Sequence, residues 1–208
     1  MRRTFLTLIG VLLAGLALAE RVEVERPWLS AYDDAGNLVW ELRAAAIRGT
    51  ATGWRAEEVV AYLYSDGAPL VTVHIPTVTA DPAGPKWRAD GGVTGEGEGF
   101  SFTAEEVEWT RGELRLGELR LISGELELRA LRAFWEPGGV WKLLGVEASF
   151  GEWKLEFAEG VYDQTDRILR IPQGLTARGW GWEIAADEAT VDVDAERVTL
   201  RGVKVGPA

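Results

Sequence analysis

The sequence predicts an all-β protein, on three observations. Beyond residue 20 apolar side chains recur at every second position, the spacing of a strand with one buried face. Turn residues recur about every ten positions. A short apolar pattern repeats along the chain, its later copies roughly 28 residues apart. A unit of that kind has one apolar face and buries it only by stacking on neighbours that share an interior.

Composition removes whole classes of function. The 208 residues include no cysteine, so a disulfide scaffold, a thiolate metal site, an iron–sulfur cluster and a cysteine nucleophile are excluded. A zinc site or a histidine-based triad would rest on His74, the single histidine. A net charge of −11 opposes nucleic acid, which needs a basic surface. With 47% hydrophobic and 26% charged residues the chain is globular. Few Asn, Gln and Met beside abundant Glu and Arg resemble a thermophile's usage. No cofactor and no metal are expected.

The elements follow in chain order. Met1-Arg2-Arg3 is a basic start, Phe5 to Ala19 is apolar, and Ala17-Leu18-Ala19 precedes Glu20. As a helix the apolar run covers about 22 Å, short of a bilayer core of about 30 Å. Residues 1–19 are therefore read as a signal peptide cleaved before Glu20, with an uncleaved anchor as the alternative. Removing them takes away two arginines and no acid, so the body becomes more acidic. The body, 20–208, is expected to be one domain with period two unbroken from Val22 to Val205. Trp40 to Ile47 is a strand because Trp40, Leu42 and Ala44 keep that period. Turns are expected at Asp34 to Gly36, Ser65 to Gly67, Gly112, Ser123-Gly124, Pro137 to Gly139, Gly151, Asp163 to Asp166 and Asp194-Ala195.

The repeated pattern is apolar-x-apolar-x-Ala-x-x-apolar. It reads Trp40-Leu42-Ala44-Ile47, Phe100-Phe102-Ala104-Val107, Leu126-Leu128-Ala130-Ala133 and Trp182-Ile184-Ala186-Ala189. A shifted copy is Trp153-Leu155-Phe157-Ala158-Val161. The small Ala suits a crowded position where strands bend or a facing sheet comes close.

The stretch Tyr32 to Ala44, with a Gly-containing turn leading into Trp40-x-Leu42-x-Ala44, resembles the opening strand pair of the LptC family. Val59 to Gly67, Trp87 to Val93 and Phe102-Thr-Ala104 resemble its next units, and Trp153 to Val205 resembles the related OstA-like domain of LptA. The resemblance covers most of residues 28–205. It implies an open, taco-shaped β-jelly roll of stacked repeat strands, preceded by the signal or anchor helix. It further implies a groove that passes lipopolysaccharide from an inner-membrane ABC transporter toward the outer membrane, a periplasmic location, and a second OstA-like jelly roll as partner. LptC members usually keep a true transmembrane anchor, and here the N-terminus reads better as a signal peptide.

The candidate groove residues are Trp40, Leu42, Phe100, Phe102, Leu126, Leu128, Leu155, Phe157, Trp182 and Ile184, inward by alternation. An ordinary filled core is the competing reading, and with it a structural or adhesive envelope β-solenoid that binds no ligand. The expected last strand, Arg197 to Val205, has nothing after it to cover its edge, so Val198, Leu200, Val203 and Val205 are the candidate partner-binding edge. No catalytic residue is expected. The acid pairs Glu57-Glu58, Glu105-Glu106 and Asp187-Glu188 each come just after an Ala, a solvated bend at the same place in a repeat, and neighbours on a strand point to opposite faces, so none is a catalytic couple. Asp192 and Asp194 share a face but are too few ligands for calcium. Gly91 to Gly99 lacks the lysine of a phosphate loop and is read as a hairpin or bulged edge. His74 is expected on a polar strand face.

Overall fold

The computed structural model describes residues 23–32, 36, 38–50, 53–65, 68–80, 86–110, 113–136 and 140–207. These form twenty strands and no helix, all paired antiparallel. The expected signal or anchor segment at 1–19 and the expected turn residues Asp34, Ala35, Asp66, Gly67, Gly112 and Pro137 to Gly139 lie outside the described residues. Contacts divide the chain into two compact units, 1–98 with 106–112, and 99–105 with 113–208.

In chain order the first strands are β1 (Glu23–Glu25), β2 (Trp28–Tyr32), β3 (Leu38–Arg43), β4 (Ala46–Thr50), β5 (Gly53–Ser65), β6 (Ala68–Ala80), β7 (Lys86–Asp90), β8 (Val93–Gly97), β9 (Phe100–Ala104) and β10 (Glu106–Thr110). All but β9 belong to the first unit. The long strands β5 and β6 each serve two half-sheets. One runs β2, β3, β5, β6, β8, and the other β1, β4, β5, β6, β7, β10.

The second unit adds β11 (Glu113–Ser123), β12 (Leu126–Glu136), β13 (Val140–Phe150), β14 (Trp153–Asp163), β15 (Ile168–Ile171), β16 (Leu175–Gly179), β17 (Trp182–Ala186), β18 (Glu188–Asp192), β19 (Arg197–Arg201) and β20 (Lys204–Pro207). Its first half-sheet runs β9, β11, β12, β13, β14, β16, β17, β20. Its second runs β11, β12, β13, β14, β15, β18, β19. The two halves face each other. Phe102 of the first meets Trp141 of the second edge to face, with ring centroids 5.3 Å apart. The Tyr162 hydroxyl donates to Ser123 Oγ at 2.9 Å across the same space.

Period two is not unbroken, and the break builds the fold. In β12 the buried positions are 126, 128 and 130, then 133; in β13 they are 141 and 143, then 146, 148 and 150. Each strand therefore inserts one extra residue and bends while the same face stays inside. The insertions line up across the unit: Glu118 at φ 51°, Leu131 and Arg132, Gly145 at φ 61°, Ala158 and Glu159, Gly174, Asp187, then Gly202. Backbone bonds stitch the line, from Glu105 N to Gly117 O, Gly174 N to Asp187 O, and Asp187 N to Arg201 O. The repeated Ala is the last buried residue before a bend, as Ala44, Ala104, Ala130 and Ala186 show. Where β14 has Phe157 instead, the room comes from Gly160, where a Cβ would stand 2.6 Å from the Phe157 ring. At Gly145 a Cβ would meet Leu131 at 2.8 Å, and the left-handed φ also favours glycine.

Two expected strands are each two. Trp40 to Ile47 breaks at Ala44-Ala45 into β3 and β4, and Arg197 to Val205 breaks at Gly202-Val203 into β19 and β20. Gly202 belongs to the bend line, and Ala45 is a bend of the first unit, its amide bonded to Glu57 O at 2.9 Å, so in each the sequence pattern marks a corner rather than a straight strand.

Candidate functional site

In the second unit the first half-sheet presents three parallel rows of side chains on one face. The middle row is Phe102, Leu121, Leu128, Ala148, Leu155, Ala177, Ile184, Val205, one residue from each of eight strands. Nearer the bends runs Leu119, Ala130, Val146, Phe157, Leu175, Ala186. Nearer the hairpin turns runs Phe100, Ser123, Leu126, Phe150, Trp153, followed by Gly179, Trp182 and Pro207. Seven strand spacings of about 4.8 Å make the middle row about 34 Å long.

Eight of the ten candidate groove residues thus share one face: Phe100, Phe102, Leu126, Leu128, Leu155, Phe157, Trp182 and Ile184. Their environments differ. Leu128 is 0% exposed, and Phe100, Phe102, Leu126, Leu155 and Phe157 are also buried, but Ile184 is half-exposed and Trp182 is exposed. The middle row ends at Val205, 59% exposed. Leu42 and Trp40 belong to β3 of the first unit, where Leu42 is half-buried opposite Ala61. Trp40 stands in register with Leu63, and its side chain lies outside the described residues.

The sequence reading missed the facing wall. Leu116, Trp141, Leu143, Tyr162, Leu169, Ile171 and Val191 are buried in the second half-sheet. Their period-two rows are visible in the sequence once the extra residue at each bend is allowed for. A polar seam closes part of this wall on the turn side. Beyond the Tyr162–Ser123 bond, Trp141 Nε1 donates to Gln164 Oε1 at 3.3 Å in a buried contact. Arg167 pairs with Asp194 at 2.8 Å, and its guanidinium lies against Gly99 and Gly124. Burial holds the Tyr162 phenol above its ordinary value, with the Ser123 bond and the Arg167 charge pulling the other way.

Val198 and Leu200 are half-buried on β19, whose partner among the described residues is β18. Val205 is exposed on β20, whose partner is β17. Val203 occupies the break between the two strands rather than a ladder position.

The polar candidates fall into structural places. Glu105 and Asp187 are bend residues, and Glu58 has φ 52°. Glu57 pairs with Arg48 at 3.3 Å. Asp192 Oδ1 accepts the Ala195 amide at 2.9 Å, which closes a turn, and Asp194 holds Arg167. No cluster of metal-ligating side chains occurs among the described residues. His74 is exposed on β6, opposite Val60 and Thr94. Gly91 to Gly99 forms a bend, β8 and a turn into β9. An open furrow of about 1020 Å³ follows the bends of the second unit on the outer face, where Arg120, Arg129, Glu147 and Glu156 supply both signs of charge.

The class defined by these features is an antiparallel β protein of bent, stacked hairpins with apolar rows on one face. No family model matches the chain, and no curated protein matches it. Among solved structures it is similar to LptH of Pseudomonas aeruginosa, the LptA-homologous periplasmic component of the conserved lipopolysaccharide transport device. The TM-score is 0.42 at 12% identity, over 52% of this chain and 94% of that one.

Proposed function

We propose that residues 20–208 act as an exported carrier for acyl chains, non-enzymatic and without a cofactor. The ligand is lipopolysaccharide or a related outer-membrane glycolipid. The chain takes it from an inner-membrane ABC transporter and passes it toward the outer membrane through a second OstA-like jelly roll. The setting is the periplasm, with residues 4–19 as a tether where they are retained. One observation supports this reading most: the apolar middle row crosses eight strands, and its burial gives way from Leu128 to Val205. Exposing a methylene to water costs about 0.8 kcal/mol, so a twelve-carbon chain needs about 9 kcal/mol of shelter. A row about 34 Å long is enough for it. Chains would enter at Ile184 and Val205 and move inward as the half-sheets part on the turn side. The edges of β19 and β20, with Val198, Leu200, Val203 and Val205, are the proposed place where a partner strand adds.

A filled structural core is the second reading, and it is favoured by the leucines at Leu121, Leu126 and Leu128, which have no exposed surface. One pair of variants separates the two. Ile184→Glu changes the open end and should leave folding intact while abolishing binding of a fluorescent acyl probe. Gly124→Cys with Val193→Cys joins the half-sheets where a Cβ on Gly124 would lie 3.2 Å from Val193. In a chain without cysteine that disulfide is unambiguous, and it should block probe uptake until reduced. A parent protein that takes up no probe, or a locked one that binds as well as the reduced form, sinks the carrier reading.

A further inference from the structure

At the tip of the β16–β17 hairpin Trp180, a ring outside the apolar rows, joins Trp153 and Trp182 at the open end of the turn-side row. Trp180 is 71% exposed and Trp182 is 53% exposed. Trp153, half-buried, meets Trp180 edge to face with centroids 5.3 Å apart. Gly179 makes the space, since a Cβ there would stand 2.8 Å from the Trp153 ring. Trp180 has φ 51°, a left-handed turn position that glycine or asparagine occupies without crowding and a bulky residue does not. A ring held there against its backbone preference, and left in water, does little for the fold.

Its position suggests what it meets. Trp182 lies one row outward from Ile184, so the rings stand where the apolar rows end and the hairpin turns begin. A ligand whose chains follow those rows has its polar head at this tip. Arg178, held by Glu183 at 2.8 Å and Glu156 at 3.3 Å, belongs to the opposite face of the sheet and leaves the indoles, among the described residues, without a charged neighbour on their own side. Indole faces pack against the C–H face of a pyranose ring. The chain's charge of −11 disfavours an anionic bilayer surface.

We propose that Trp153, Trp180 and Trp182 form a stacking subsite for a neutral sugar in the head of the glycolipid, an inference that rests on the carrier reading. Calorimetric titration of the exported chain with dodecyl maltoside and dodecyl dimethylamine oxide, both below micelle formation, tests it. The two probes share a chain and differ in the head. The parent protein should bind the maltoside about tenfold more tightly, since each aromatic contact is worth a few-fold. Trp180→Asn should bring the two affinities together without changing that for the amine oxide, at an unaltered melting temperature. Equal affinities in the parent, or a Trp180→Asn variant that loses both probes alike, overturn the subsite and leave the carrier standing. Binding of neither probe overturns the carrier and the subsite together. Co-sedimentation of the parent, but not of Trp180→Asn, with sugar-free phosphatidylcholine vesicles makes the tip a membrane contact and also overturns the proposal.

Discussion

The two units use the same alternation and reach different ends. In the first, one row reads Leu42, Ala61, Val73, Gly95; in the second, the matching kind of row reads Leu121, Leu128, Ala148, Leu155. The second row carries far more side-chain volume. Its leucines are sealed, whereas Leu38, Leu42, Leu63 and Leu70 of the first unit are half-buried. Alternation thus decides which face points inward, and volume decides whether that face closes. The first unit closes elsewhere, at Val59, Val71, Ile75 and Val93, so an open row and a closed one can be written with the same apolar period.

The largest expected effect breaks that contrast directly. Leu128→Ala removes a side chain with no exposed surface and should cost about 3 kcal/mol in denaturant unfolding. Leu42→Ala, at a half-buried position, should cost about 1 kcal/mol. Equal losses would show that the units do not differ in closure. Next is the bend line. Gly145→Val places a β-branched side chain at φ 61° and against Leu131, and a loss of about 2 kcal/mol is expected. No measurable loss would mean the bend tolerates a straight strand.

A smaller effect tests the seam. Tyr162→Phe removes the bond to Ser123 and leaves a buried hydroxyl unpaired, at about 1 kcal/mol near neutral pH. Burial also raises the phenol above its ordinary value, so the folded chain keeps its proton where the unfolded chain gives it up. That contribution is complete below the unfolded value of about 10 and fades as pH rises past it toward the folded value. The parent should therefore lose stability on the alkaline side more steeply than the Phe variant, and parallel curves would refute the linkage. The smallest change is expected at Glu58, a non-glycine residue of the first unit at φ 52°. Glu58→Gly relieves about 1 kcal/mol of left-handed crowding and adds about as much backbone entropy to the unfolded chain, so melting should barely move. A shift of several degrees in either direction would show that this bend is held differently from Gly145.

Much of this was legible beforehand. The all-β class follows from period two, because an alternating side chain cannot face one interior from a helix. The repeated Ala already marked the bends, and the acid pairs beside it already read as solvated corners rather than a catalytic couple. What the pattern showed without its meaning was the extra residue in its Ala-x-x-apolar step. Leu126, Leu128, Ala130 and Ala133 are one copy of the repeat in sequence and a continuous inner face in space.

The sequence by itself determined the strand class, the inner face of each straight segment, the absence of thiol chemistry and the corners marked by Ala. Tertiary structure alone decided which rows meet. Phe102 touches Trp141, and Tyr162 reaches Ser123, across 39 residues in each case, because aligned insertions turn every long strand through the same corner. It also decided where shelter ends. Leu128 and Val205 are alike as apolar, alternating residues, yet one has strands on both sides and a facing wall and the other stands on a strand with a single described neighbour. Burial is a property of what surrounds a side chain, and a local pattern does not contain its surroundings.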